Sequence, residues 1–430
     1  MMPDDFASQF EAAKKQLQPD TSNPLGMLQA SLGTNDKGVP HSNVDNVLLC
    51  LALNPELQGL LGFNEFLEEP QILAPPPRMQ VTDRPAPGPY PRAIRAADII
   101  AIQAYVQRQH LARVTRQTVE DAVYTDAERN RFHPVRQYLD GLSWDGKPRL
   151  GHWLRWSFGA EDTPYTREVG AKILIAAVRR IRQPGCKFDT MLILEGLQGA
   201  GKSQTVRALF GDAWFTDALP PNLLSKDGSQ SLLGVWGVEF AEIEHLIRTD
   251  TESLKAFLSR PTERFRPPYG RSFITRGREC VFIGTTNQTD YLRDTTGNRR
   301  FWPVACQFAS PQWVREVRDQ LWAEAAHREA AGEIIWLEEE ARELAIEQQA
   351  ERLAGDVWED RVRKWLDEQR GLRIAHVTVG AVLSDGLGID AARMGKKEEM
   401  RAAGILAKEG LVRKQVRVDG KPRWIWKWPE

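Results

Sequence analysis

The run Gly196-Leu-Gln-Gly-Ala-Gly-Lys-Ser203 satisfies G-x-x-x-x-G-K-[ST]. Residues of these types at this spacing hold a polyphosphate. Glycines let the backbone curl until successive N–H groups point inward at phosphate oxygens, where a Cβ would obstruct the curl. Lys202 would reach the β and γ phosphates, and the Ser203 hydroxyl would face Mg²⁺. A helix beginning there would aim its positive dipole end at the anion. The expected nucleotide-binding set is Gly196, Gln198, Gly199, Ala200, Gly201, Lys202, Ser203 and Gln204, with ATP and Mg²⁺ as ligands.

An ATPase of this kind needs a carboxylate where a strand ends beside the nucleotide, to hold Mg²⁺ and polarise the attacking water. Leu233-Gly-Val-Trp-Gly-Val-Glu-Phe-Ala-Glu-Ile-Glu-His245 offers Glu239, Glu242 and Glu244. A strand from Val235 to Ala241 would put Glu242 at its exit, so Glu242 is placed first, as acid and metal ligand, and Glu239 second. The opposing reading is a set of charges on a solvated helix start. Cys280-Val-Phe-Ile-Gly-Thr-Thr-Asn-Gln288 is a further apolar strand with a polar tip, where Asn287, supported by Thr286, would orient the water. Arg299 and Arg300 then precede an apolar strand; one of them is expected to neutralise transition-state charge, the alternative being structural ion pairing.

Between these strands, Lys255, Arg260, Arg264, Arg266, Arg271, Arg276 and Arg278 stand against the single acid Glu263, interleaved with Phe265, Tyr269 and Phe273. That mixture fits a hairpin gripping a phosphate backbone, with Lys255, Arg264, Arg266, Tyr269 and Arg271 as its DNA contacts; a subunit interface is the other reading, and both are compatible.

The elements that must position these groups follow from pattern. An apolar strand from Met191 to Leu194 precedes the phosphate loop and a helix-forming run, Gln204 to Phe210, follows it. Strands and helices then alternate, which indicates an α/β sheet. Residues 1–45 are polar and expected to be flexible; 46–165 are expected to form a helical N-terminal domain interrupted by a Pro-rich linker at 75–91. The tryptophans Trp144, Trp153 and Trp156 are expected as core anchors. The ATPase core is set at 166–310, with a helix from Thr166 to Ile181, and a Glu-rich helical connector with a solvated face at 311–356. Residues 357–430 read as helices followed by a hairpin turning at Asp419-Gly420, a winged-helix-like domain, and residues 400–430 carry eight Lys/Arg against three Asp/Glu.

A chain of 430 residues with net charge −1 is no polycation, so nucleic-acid binding must come from local patches. Cys50, Cys186, Cys280 and Cys306 show no C-x-x-C spacing, which argues against a zinc site or disulfide framework. Neither a signal peptide nor a membrane-length apolar run is present, so a cytoplasmic protein of a bacterial host cell, without membrane association, is expected.

Taken together, the chain resembles the virulence-associated protein E family, P-loop ATPases of phages and genomic islands related to superfamily 3 helicases and phage primase-helicases. The resemblance covers roughly 63–353. It rests on His133-Pro-Val-Arg, Trp144-Asp-Gly-Lys-Pro-Arg149, Pro184-Gly-Cys-Lys-Phe-Asp189, the phosphate loop, Leu254-Lys-Ala-Phe-Leu-Ser-Arg260, Arg266-Pro-Pro-Tyr-Gly-Arg271 and Leu292-Arg-Asp-Thr-Thr-Gly-Asn-Arg-Arg-Phe-Trp-Pro303. It implies an AAA+-like core and Asn287 as sensor. It further implies Arg299 or Arg300 as arginine finger, and Glu242 over Glu239, because in the related helicases an acid precedes a helical lysine by the interval separating Glu242 from Lys255. Residues 1–60 lack the space and acidic motifs of a primase domain, so priming is expected from a separate primase or polymerase. The expected function is an ATP-dependent DNA helicase or translocase in replication of a mobile element, a hexameric ring acting on single-stranded and origin duplex DNA. The alternative is a nucleotide-switched DNA-binding regulator without unwinding activity.

Overall fold

The computed structural model describes residues 23–77, 89–220, 227–265, 273–292, 297–353, 358–418 and 421–429. Two compact units are present, one comprising 1–243, 252–287 and 299–345, the other 244–251, 288–298 and 346–430.

The first unit begins with a helix at Pro24–Ser31, inside the segment expected to be flexible. The polar residues there act as caps and braces: the Asn23 side chain accepts from Gly26 N–H, and buried Asn46 ties together the backbone of Gly33 and His41. Leu28 is fully buried, so this helix belongs to a packed core with the helices Val44–Leu53, Ala96–Gln109 and Arg116–Arg129. The N-terminal region is not purely helical either. β1 (Leu61–Asn64), β2 (Glu69–Ile72), β3 (Arg92–Ala93) and β4 (Arg131–Phe132) form a four-stranded sheet in the order β3-β2-β1-β4. Strands of two to four residues are too short for alternation to register in a sequence.

The helix Pro164–Arg182 starts with proline at its first turn and a Thr163 side-chain cap. Its buried positions run almost all round, which is the mark of a helix inside a core. It leads into a parallel sheet. β5 (Met191–Glu195), β6 (Phe215–Thr216), β7 (Gly237–Phe240), the antiparallel hairpin β8 (Thr262–Phe265) and β9 (Ile274–Gly277), then β10 (Val281–Thr286) and β11 (Phe301–Ala305) follow in sequence. The sheet order is β11-β5-β10-β7-β6, parallel throughout, a mixed α/β architecture. Met191–Leu194 of β5 and Val281–Gly284 of β10 read as continuous apolar or small-residue runs because both strands are buried along their whole length.

The helix Pro311–Ala330, in the stretch expected as a connector with a solvated face, keeps Gln312, Arg315, Glu316 and Asp319 exposed and buries its other side. Leu321, Trp322 and Ala325 are in the core, Glu324 accepts from the N–H groups of Arg149 and Leu150, and Glu329 pairs with Arg179 and Arg182. Trp322 lies with its ring centroid 4.0 Å from that of Trp236, the residue leading into β7. Of the expected core anchors, Trp153 is buried and donates to the carbonyl of Gly170, whereas Trp156 is 42% exposed.

The second unit contains helices Glu359–Gly371 and Lys396–Lys408 and an antiparallel sheet of β12 (His376–Val377), β13 (Val412–Val418) and β14 (Lys421–Lys427), ordered β12-β14-β13. Its own core gathers Val362, Leu366, Val382, Leu406 and Trp426. Exposed Arg413 lies over the ring of exposed Trp424 at 4.2 Å.

Candidate functional site

The C-terminal ends of parallel strands face outward into a crevice where ligands of such sheets sit. Here the crevice holds a cavity of about 310 Å³ lined by Gln198 to Gln204, Ala241, Glu242, Thr285, Thr286 and Asn287. Three stretches far apart in sequence meet there: the loop after β5, the residues after β7 and the tip of β10.

The loop's form depends on its glycines. Gly199 and Gly201 take φ of 77° and 90°, a region side chains with a Cβ avoid. At Gly196 a Cβ would lie 2.7 Å from the carbonyl oxygen of Cys306, so the loop approaches the residue after β11 too closely for any side chain. The helix Lys202–Phe210 then begins at the cavity. Lys202 is largely buried, and its Nζ donates to the carbonyls of Gly196 at 2.7 Å and Leu197 at 2.9 Å. The ammonium is thus held by the loop's own oxygens.

Glu239 and Glu242 occupy different environments. Glu239, on β7, is fully buried. Its Oε1 accepts from Ser203 Oγ at 2.6 Å and from Thr285 Oγ1 at 2.7 Å, while its Oε2 is buried with no hydrogen-bond partner among the described residues. Burial pushes its carboxyl above the ordinary carboxylate range, opposed by the two hydroxyl donors. Glu242 lies just beyond the strand, exposed, at φ 49° and ψ 48°, immediately before the helix Ile243–Leu258. A non-glycine residue in the left-handed region at a cavity wall is the kind of strain functional sites carry. Glu244 sits in the first turn of that helix, outside the cavity lining.

Asn287 is exposed at the tip of β10 and lines the cavity beside Thr286. Thr285, one residue before the Thr286 expected to support Asn287, is bonded to Glu239. The register explains it: Ile283 stands opposite Glu239, so two residues on Thr285 shares its face. That pairing is not visible in the sequence. Cys306, directly after β11, is the residue whose carbonyl abuts Gly196. Burial pushes its thiol up to about 12.

Arg299 and Arg300 lie in a short helical turn at Asn298–Arg300 and are absent from the cavity lining. Arg300 is engaged, its Nε bonding Ser259 Oγ at 3.0 Å and standing 3.4 Å from Asp189 Oδ2. Arg299 is exposed, with no hydrogen bond or ion pair among the described residues.

The basic stretch departs most from expectation. Lys255 is only 5% exposed and pairs with Glu252, so its charge is not presented to a phosphate backbone. Arg278 is buried against Glu263 and lies over the rings of Phe257 and Phe282; Arg276 pairs with Glu68 and Glu279. Three of the run's seven basic residues, Lys255, Arg276 and Arg278, are thus paired with acids. Arg264 is exposed, over the ring of Phe273 at 5.6 Å. Arg266, Tyr269 and Arg271 lie outside the described residues.

The sequence profile of the virulence-associated protein E-like domain matches residues 139–354. No curated protein matches the chain. Among solved structures, the apo structure of NrS-1 C terminal region (305-718) is similar at 14% identity and TM-score 0.43, over 85% of this chain and 95% of that one. The A form apo structure of the same region is similar at 13% identity and TM-score 0.46, over 85% of this chain and 96% of that one.

Proposed function

Since the chain belongs to the virulence-associated protein E-like family, we propose that it is an ATP hydrolase of the P-loop type, coupled to DNA in the replication of a phage or other mobile element. The observation that carries this reading is the buried Glu239 carboxylate, bonded through one oxygen to Ser203 and left with the other unsatisfied beside a glycine-curled loop. A buried polar atom without a partner is costly unless something fills the place. Magnesium coordinated with ATP fits that donor set, with Ser203 and Glu239 holding it and its charge offsetting that of the β and γ phosphates. This moves Glu239 ahead of Glu242 as metal partner and leaves exposed Glu242, with Asn287, to orient and deprotonate the attacking water. Lys202 leaves its two carbonyls for the phosphates.

In this reading the parallel sheet is the core of a P-loop ATPase, the C-terminal unit is a winged helix whose Arg413–Trp424 face meets DNA, and the active form is a ring of identical subunits. Arg299, exposed and unengaged, is the arginine that completes a neighbour's site; Arg300 braces its own fold. The test is ATP turnover with and without single-stranded DNA. A helicase or translocase gives strong stimulation. One observation favours the second reading, a nucleotide-switched regulator: the internal pairing of Lys255, Arg276 and Arg278 reduces the grip available to a translocating strand. Slow turnover indifferent to single-stranded DNA, with nucleotide-dependent duplex binding, would select it.

A further inference from the structure

A second cavity, of about 1040 Å³, lies beside the phosphate loop, and its lining includes Trp156, Gln307, Phe308, Trp313 and Val317. Its aromatics are left open: Trp156 is 42% exposed and Phe308 47%, and Trp156 meets Trp313 edge to face at 5.7 Å. Large aromatic faces exposed together in a concavity indicate a ligand more than a core.

A strap, residues 306–310, borders both this cavity and the phosphate loop. One side of the strap touches the loop: a Cβ at Gly196 would meet the Cys306 carbonyl, and one at Gly201 would stand 3.7 Å from the Cβ of Ala309. The other side supplies Gln307 and Phe308 to the cavity. The strap is held firmly, because the N–H groups of Gln307 and Phe308 donate to the carbonyl of Phe158 and that of Ser310 donates to Ser157. The flat aromatic surfaces and the loop read here as holding a triphosphate are therefore neighbours along one five-residue strap.

We propose that this cavity is the nucleobase subsite of the nucleotide site, where a purine stacks on Phe308 and Trp156 while the triphosphate follows the loop. The proposal rests on the phosphate-loop reading above. Stacking on an aromatic face depends on the area overlapped, so a purine gains more than a pyrimidine, and either gains over no base. Base–aromatic stacking of ordinary strength corresponds to roughly a 5- to 150-fold change in affinity.

Binding of ATP, CTP and inorganic tripolyphosphate, measured by calorimetry on the full chain, tests the assignment. The unsubstituted protein should bind ATP more tightly than CTP, and CTP more tightly than tripolyphosphate. Phe308→Ala and Trp156→Ala, both at exposed positions, should remove most of ATP's advantage while leaving tripolyphosphate affinity unchanged. Lys202→Ala should weaken all three. If both aromatic variants keep the full preference for ATP, or weaken ATP and tripolyphosphate equally, the subsite assignment is wrong and the phosphate loop is untouched by the result. If the unsubstituted protein binds neither ATP nor tripolyphosphate, both readings fall.

Discussion

At the scale of single residues, the two acids near the loop should fail differently from the lysine. Lys202→Ala removes the charge that meets the phosphates, so nucleotide affinity and turnover should both collapse. Glu242→Gln keeps shape but not basicity, so ATP should bind nearly normally while turnover falls by about 10²- to 10⁴-fold. Glu239→Gln should leave hydrolysis poor at any nucleotide concentration and shift the Mg²⁺ requirement upward, since the metal partner has lost its charge. Equal turnover in Glu239→Gln and the unsubstituted protein would overturn the new order of the two acids. The cysteines give a second prediction. All four are free, and burial raises every thiol above its ordinary 9.0, Cys50 and Cys306 to about 12. A thiol raised in the folded state contributes stability fully present below its unfolded value. That contribution is lost as the pH climbs toward the folded one, because the unfolded chain gives up protons first. Denaturant midpoints should therefore decline between about pH 9 and 12, more in the unsubstituted protein than in a Cys50→Ala variant. Labelling by a thiol reagent at pH 7 should be slow until the chain unfolds.

At the scale of elements, the hairpin β8–β9 separates structural arginines from presented ones. Removing one member of a buried ion pair leaves the other uncompensated, at about 3–5 kcal/mol. Arg278→Met should thus lower the melting temperature markedly with no selective effect on DNA, whereas Arg264→Ala should leave stability alone, weaken DNA binding across sequences and lower the salt slope by about one. The reverse pattern would exclude the hairpin as a DNA contact. This is also where the sequence was least legible. A basic run can be counted in a sequence, but Glu68, more than two hundred residues from Arg276, cannot be known to neutralise it. The strand before the phosphate loop, the loop's curl and the C-terminal hairpin were legible because each is specified locally, by apolar runs, glycines and a turn pair. The four-stranded N-terminal sheet was not, its strands being too short to carry a period, and Thr285 depended on a strand register set only by tertiary packing.

At the scale of the whole molecule, Arg299 makes a claim about assembly. If it completes the site of a neighbouring copy, specific activity should rise with protein concentration. Lys202→Ala and Arg299→Ala proteins, each inactive alone, should also recover activity when mixed, since some interfaces then combine an intact loop with an intact arginine. A guanidinium so placed is worth roughly 10³- to 10⁵-fold in rate. Activity independent of concentration and no recovery on mixing would confine the arginine to its own chain. Arg300→Ala, by contrast, should lose stability through Asp189 and Ser259 and show no complementation.

The stacked pair Trp236 and Trp322, with ring centroids 4.0 Å apart and planes inclined by 32°, has an optical consequence. Transition dipoles so close do not absorb independently; they split into a coupled pair whose circular dichroism carries lobes of opposite sign. That couplet exists only while the entrance to β7 is docked on the helix Pro311–Ala330. Trp322→Phe should remove this pair's share of the couplet and leave the couplings of Trp156–Trp313 at 5.7 Å and Trp214–Trp236 at 6.2 Å; the difference between the two proteins during unfolding should time the separation of sheet from helix.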